Sequence, residues 1–205
     1  MTKVPDIWYP PIKEIAKYQE AWTKGLPIRI TEKLHGVAVG FGVMQMNGEW
    51  DFVDGGCEPN ESMMRLLNNI CDGENQVFVY GEHIGVMGLD YGVKEPTVMV
   101  YDIMVNGEYL PWDLILGHCE TFGVRTVPLL YEGPFTWEIV KAMTVGGSTV
   151  ANPSTFKSDF KGREGIVVTP QMETDSDILG GRLIGKSTNP DFANRVNKTY
   201  TYWDK

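Results

Sequence analysis

The run from Leu26 to Leu34 alternates apolar and polar side chains and ends two residues before a glycine, Gly36. A period of two puts Ile28 and Ile30 on one face and Arg29, Thr31 and Lys33 on the other. A strand of that kind needs a core on one side and a polar cleft on the other. Gly36 lets the chain turn without a Cβ before a second strand, Val37 to Met44. A lysine at a strand end on a cleft wall is a candidate nucleophile if desolvation or a neighbouring cation keeps its amine deprotonated. Lys-x-x-Gly also describes an exposed lysine beside a hairpin glycine, so Thr31-Glu32-Lys33-Leu34-His35-Gly36 has to be read with the rest of the chain.

The spacing of Ile12, Ile15, Ala16 and Trp22 after Pro10-Pro11 predicts a helix to about Lys24. Asn47-Gly48 signals a hairpin leading to a strand near Trp50 to Val53, with Asp54-Gly55-Gly56 as a turn. A helix is expected over Glu61 to Cys71. In the strand Gln76 to Glu82, Phe78, Tyr80 and Glu82 share one face and Val77 and Val79 the other. A strand over Thr97 to Val105 places Tyr101 with Met99 and Ile103. Pro111 opens a helix to Phe122 that Gly123 caps. A strand at Thr126 to Tyr131 and a helix at Thr136 to Met143 follow. Thr144 to Ser158 reads as a loop, Arg163 to Thr169 as a strand, Glu173 to Asp177 as a mobile acidic loop and Gly181 to Lys186 as a last strand. With no linker or repeat, the pattern is α+β with antiparallel strands dominating, in a single domain over 1–205.

Composition narrows the function. The 205 residues are 42% hydrophobic, enough for a sizeable core. No run of about 18 apolar residues suggests a membrane span, and Met1 to Asp6 lacks the apolar core of a signal peptide. Cys57, Cys71 and Cys119 read as free thiols in a reducing cytoplasm. A net charge of −9 argues against a protein that coats nucleic acid non-specifically, though not against nucleic acid as a substrate. The C-terminal third holds Lys157, Lys161, Arg163, Arg182, Lys186, Arg195 and Lys198, which reads as a basic patch or a solvated surface.

Four further stretches belong with Lys33: Tyr80-Gly81-Glu82-His83-Ile84-Gly85, Val100-Tyr101-Asp102-Ile103, Arg163-Glu164-Gly165-Ile166-Val167-Val168 and Arg182-Leu183-Ile184-Gly185-Lys186. In this order they resemble the motifs of the covalent nucleotidyltransferases, the superfamily of ATP-dependent ligases and capping enzymes. His35 makes the first motif most similar to the RNA ligase 2 type, and the resemblance runs from about Pro10 to Phe192. It implies the antiparallel-sheet, ATP-grasp-like adenylylation domain of DNA and RNA ligases. It also implies that Lys33 attacks the α-phosphate of ATP to form a lysine–AMP phosphoramidate. Glu32 then reads the adenine edge, Glu82 holds ribose hydroxyls or a metal, and Tyr101 stacks on adenine. Glu164 binds Mg²⁺ or Mn²⁺, Lys186 contacts the α-phosphate, and His35 and Gly36 lie at the nucleotide phosphates.

The sequence departs from the family pattern in three places. Ile184 stands where the last motif has its first lysine, and Arg182, two residues earlier on the same strand face, is the expected substitute. The arginine expected in the strand after the nucleophile is missing around Val53-Asp54-Gly55-Gly56, leaving Arg29 or Arg65 as replacements. The sequence runs about a dozen residues past Phe192, and no separate C-terminal domain is expected. The implied function is an ATP-dependent polynucleotide ligase in RNA repair. RNA ends or nicks, or DNA ones, are its substrates, with a partner or accessory domain undefined. The other readings are a minimal DNA ligase, a GTP-using capping enzyme, or a nucleotide- or end-binding module.

Overall fold

The alternating run folds as expected, as a strand over Pro27–Lys33, yet both of its faces are covered. The computed structural model describes residues 9–46, 49–86, 89, 91–151, 155 and 160–195. The Asn47-Gly48 turn, Met1 to Asp6, Lys157, Lys198 and most of the 152–158 stretch lie outside the described residues.

In chain order the described elements begin with strands β1 (Lys13–Glu14), β2 (Pro27–Lys33), β3 (Val37–Met46) and β4 (Glu49–Gly55), then helix α1 (Glu61–Cys71). Strands β5 (Val77–Ile84), β6 (Thr97–Val105) and β7 (Glu108–Tyr109) precede helix α2 (Trp112–Phe122). Next come β8 (Arg125–Thr126), β9 (Leu129–Pro134) and helix α3 (Trp137–Thr144). The last third holds β10 (Gly165–Pro170), β11 (Asp175–Ser176), β12 (Gly181–Arg182), β13 (Gly185–Thr188) and helix α4 (Pro190–Arg195). These form two compact units. One comprises Met1–Pro10, Gly36–Met87 and Glu95–Thr126, the other Pro11–His35, Gly88–Lys94 and Val127–Lys205.

The first unit is an antiparallel sheet in the order β4-β3-β5-β6-β7, with β8 added parallel to β6. Helices α1 and α2 cover one face, where Leu66, Leu67, Val77, Val79, Ile103 and Ile115 are fully buried. Asn60 caps α1 by accepting from Met63 N–H, and Asp72 in the left-handed region ends it. On the other face Met44, Phe78 and Tyr80 pack with Tyr9, Tyr101 and Tyr109.

The second unit is a sheet in the order β1-β13-β10-β2-β9, plus the β11-β12 ribbon. Ile28 and Ile30 of β2 and Ile166 and Val168 of β10 form a core with Phe135 and Val140. Thr136 caps α3 through a bond from Ile139 N–H.

Several expectations are corrected. The helix expected after Pro10-Pro11 is instead strand β1 and two short 3₁₀ turns, Ile15–Lys17 and Gln19–Ala21. Pairing of Lys13 and Glu14 with Gly185 and Lys186 overrides the helical spacing, although Ile15 and Trp22 are buried as foreseen. The strand expected over Thr126 to Tyr131 is two strands in two sheets. Between them Pro128, which has no N–H, accepts from Glu32 N–H through its carbonyl. The acidic stretch Glu173 to Asp177, expected as a loop, carries strand β11 paired to β12, and Glu173 is bonded to Arg182. The last expected strand breaks at buried Leu183 and Ile184 into β12 and β13.

Tyr101 sits at a register shift. Tyr80 pairs with Asp102 and Gly81 with Val100, so Tyr101 is the extra residue of a β-bulge. The bulge turns it toward Tyr9 and Tyr80, while Ile103, expected on the same face, is buried on the other.

Candidate active site

Strand β10 lies between β2 and β13, with Gly165 opposite Lys33 on one side and Thr188 on the other. A Cβ on Gly165 would come within 2.1 Å of the Ser187 carbonyl oxygen, so glycine is required for this approach. In the next row Val167 faces Thr31 and Lys186. Alternation therefore places Lys33 and Lys186 on one face of the sheet.

At the end of that face, Lys33 Nζ lies 2.9 Å from Glu164 Oε1. His35 Nδ1 lies 3.0 Å from Glu164 Oε2, so one carboxylate holds both residues. Burial by itself would raise the Glu164 carboxyl, but the His35 hydrogen bond and the Lys33 charge outweigh it and hold it below the usual carboxylate value. The neighbour of Lys33 is thus an anion, where the sequence suggested desolvation or a cation. His35 is fixed further by its backbone N–H, which donates to the Tyr91 hydroxyl at 2.6 Å, and by the ring of Phe192 at 4.9 Å.

Glu32 belongs to the opposite side of β2. It pairs with Ile166 across the ladder and is 1% exposed, neither an open strand residue nor a neighbour of Lys33 on its face. Its carboxylate accepts from Ser148 Oγ, Thr149 N–H and Thr149 Oγ1.

The other expected residues are placed as follows. Arg182 was expected to share a strand face with Lys186; it lies on β12, with its guanidinium on Glu173. The strand geometry behind its expected substitution for the missing lysine is absent. Of the two replacement arginines, Arg29 is buried in β2, and Arg65 on α1 lies over the Phe122 ring.

In the first unit Gly36 N–H donates to Glu82 Oε1 at 2.8 Å. A Cβ on Gly36 would approach the His83 carbonyl oxygen to 2.3 Å. Close approach of β5 therefore explains this glycine further, at the bend that precedes β3 as expected. Gly81 is similar, since Val98 and the Met99 carbonyl fill the space beside it. Tyr101 is packed edge-on by Tyr9 at 4.9 Å between ring centres. Burial, then the charges of Glu82 and Asp102, push its phenol well above the ordinary value. The Tyr9 hydroxyl donates a hydrogen bond to the Asp102 carboxylate.

Ser148, Thr149, Tyr91 and Phe192 also shape the site and carry no motif, while Arg163 opens a quoted stretch but had no site role assigned to it. Ser148 and Thr149 had only the hydroxyl-rich character of their loop as a signal.

Within the second unit, Lys33 at a strand end lies on Glu164 with Lys186 on the same sheet face; within the first, Glu82 is bonded to Gly36. A family model described as RNA ligase matches residues 26–188. The chain belongs to the RNA ligase family. Among solved structures it is similar to Naegleria gruberi RNA ligase with PPi, at 18% identity and a TM-score of 0.64, covering 95% of this chain and 59% of that one. A mutant of that ligase with ATP and Mn matches at 17% identity and a TM-score of 0.63, covering 96% and 59%. Another mutant, with AMP and Mn, matches at 17% and 0.63, covering 96% and 60%. At these identities the likeness establishes the mixed, antiparallel-sheet fold, and the chain spans about 59% of the length of the first of these structures. No curated protein sequence matches.

Proposed function

We propose that the chain is an ATP-dependent polynucleotide ligase that acts on RNA ends or nicks through a lysine–AMP intermediate on Lys33. The observation that carries this reading is Lys33 held on Glu164, on the sheet face that also bears Lys186, in a chain of the RNA ligase family. The Naegleria structures with ATP, AMP and Mn support the choice of nucleotide and metal. In finer terms the fold is that of the covalent nucleotidyltransferases, ATP-grasp-like in its antiparallel sheets.

Lys33 Nζ gives up a proton to solvent, leaves Glu164 and attacks the α-phosphorus of ATP. A nitrogen–phosphorus bond forms as the bond to pyrophosphate breaks. Lys186 neutralises charge that develops on the α-phosphate. His35, fixed at Nδ1 by Glu164, serves the phosphates, and Gly36 keeps Glu82 in place by its N–H. Glu82 holds the ribose hydroxyls and Tyr101 stacks on the adenine. AMP then passes to a 5′-phosphate, and a 3′-hydroxyl displaces it to seal the strand.

Among the described residues no group of three or more His, Cys, Asp or Glu side chains forms a protein cage for a metal. The carboxylates of Glu164 and Glu82 nevertheless suit Mg²⁺ or Mn²⁺, which takes few protein oxygens and completes its shell with phosphate and water. Glu164 would hold such an ion, with Glu82 as the other candidate; the ion would supply charge neutralisation at the reacting phosphate. The free cysteines Cys57, Cys71 and Cys119 fit a reducing cytoplasm. No helix among the described residues is long and apolar enough to cross a membrane.

The test is incubation with Mg²⁺ and α-labelled ATP or GTP, followed by nicked RNA and nicked DNA duplexes. ATP should label the protein and nicked RNA should be sealed. Preference for GTP would replace the ligase with a capping activity, and sealing of DNA alone would replace the RNA substrate.

A further inference from the structure

Two residues that immediately precede site residues reach away from the site and grip one loop. Glu32 precedes Lys33, and Arg163 precedes Glu164. Glu32 takes Ser148 Oγ, Thr149 N–H and Thr149 Oγ1. The Arg163 guanidinium donates to the Gly147 carbonyl at 2.9 and 3.2 Å and to the Met143 carbonyl at 3.3 Å. Its backbone N–H donates to the Gly146 carbonyl, and Ser148 N–H donates to the Lys161 carbonyl. Both gripping side chains are more than nine-tenths buried. The next residues along each chain segment, Lys33 and Glu164, meet at 2.9 Å.

We propose that Ser148 and Thr149 are positioning residues, and that Glu32 acts through them to set Lys33 against Glu164 instead of reading a base edge. Thr149 uses both lone-pair sites of Glu32 Oε2, and Ser148 takes Oε1. The side chain is buried on the core face of β2, so its three bonds anchor the backbone from which Lys33 projects. Arg163 anchors the backbone of Glu164 to the same loop. Movement of either partner by about 1 Å would spoil the alignment that nucleotidyl transfer needs. The inference rests on the lysine–AMP reading for its kinetic consequence alone.

The experiment compares wild type, Thr149→Val, Thr149→Ser and Glu32→Gln in single-turnover lysine–AMP formation with ATP and with ITP, whose base carries an oxo group in place of the amine. Thr149→Val removes one donor without changing side-chain shape. It should lower the rate by roughly tenfold to a hundredfold with KM for ATP unchanged. Thr149→Ser should restore the rate, and the ATP to ITP ratio should equal that of wild type in every variant. A Glu32→Gln protein that changes this ratio while Thr149→Val keeps its full rate would overturn the proposal and make Glu32 a base reader. Hydrogen exchange of the Thr149 amide provides a readout independent of catalysis. It should speed up by about tenfold or more in Glu32→Gln, and unchanged exchange would overturn the strap. A wild-type protein that forms no lysine–AMP would overturn the ligase reading, and the exchange result would still decide the strap.

Discussion

Glu164 uses one carboxylate oxygen for Lys33 and the other for His35, so its two functions are separable by chemistry. Glu164→Gln keeps one acceptor and turns an N–H donor toward the other partner. Lysine–AMP formation should fall by roughly a hundredfold or more with the fold retained, measured by label transfer and circular dichroism. A variant with wild-type rate would remove Glu164 from the site. The placement of Lys33, Glu164 and Lys186 around one sheet was legible in the sequence because each lies in a short motif. Tyr91 was not, since its hydroxyl matters through a bond to a residue far along the chain, His35. Glu32 was half legible: its motif position was plain, but alternation in a strand buried on both faces sends it to the core side.

At the scale of elements, two glycines make the strands approach one another, and each gives a prediction. Gly36→Ala would press a methyl group against the His83 carbonyl oxygen, and Gly165→Ala against that of Ser187. Each should cost about 1–3 kcal/mol, read as a lowered denaturation midpoint in urea. An unchanged midpoint would show that the strands can part at no cost. Helices α1, α2 and α3 were legible because capping residues and apolar spacing agree locally. The segment after Pro11 was not, because a two-residue pairing with β13 decides its conformation. The bulge at Tyr101 was equally hidden. One extra residue in a ladder leaves no mark on period-two hydrophobicity, yet it decides which way the ring points.

Across the whole molecule, the three thiols report on folding. Cys57 is partly exposed, whereas Cys71 and Cys119 are buried, and burial pushes the Cys119 thiol up to about 12. A thiol reagent at neutral pH should modify Cys57 in the native protein and reach the other two only after unfolding. Because the folded protein favours the protonated Cys119, its contribution to stability is complete below the ordinary thiol value of 9.0 and is lost as pH rises toward about 12. Thermal melts should therefore show the loss on the alkaline side, and Cys119→Ala should remove that part of the dependence. The order of motifs along the chain was legible at this scale. The division into two compact units was not, because β8 and β9, separated by Val127 and Pro128, join different sheets without a composition change at the boundary.

The central claim is that Lys33 carries AMP. The direct measurement is mass spectrometry of peptides from protein incubated with ATP and Mg²⁺, beside Lys33→Ala treated identically. The AMP adduct should sit on the peptide bearing Lys33 and be absent from the variant. An adduct on another residue, or one that persists in Lys33→Ala, would contradict the account.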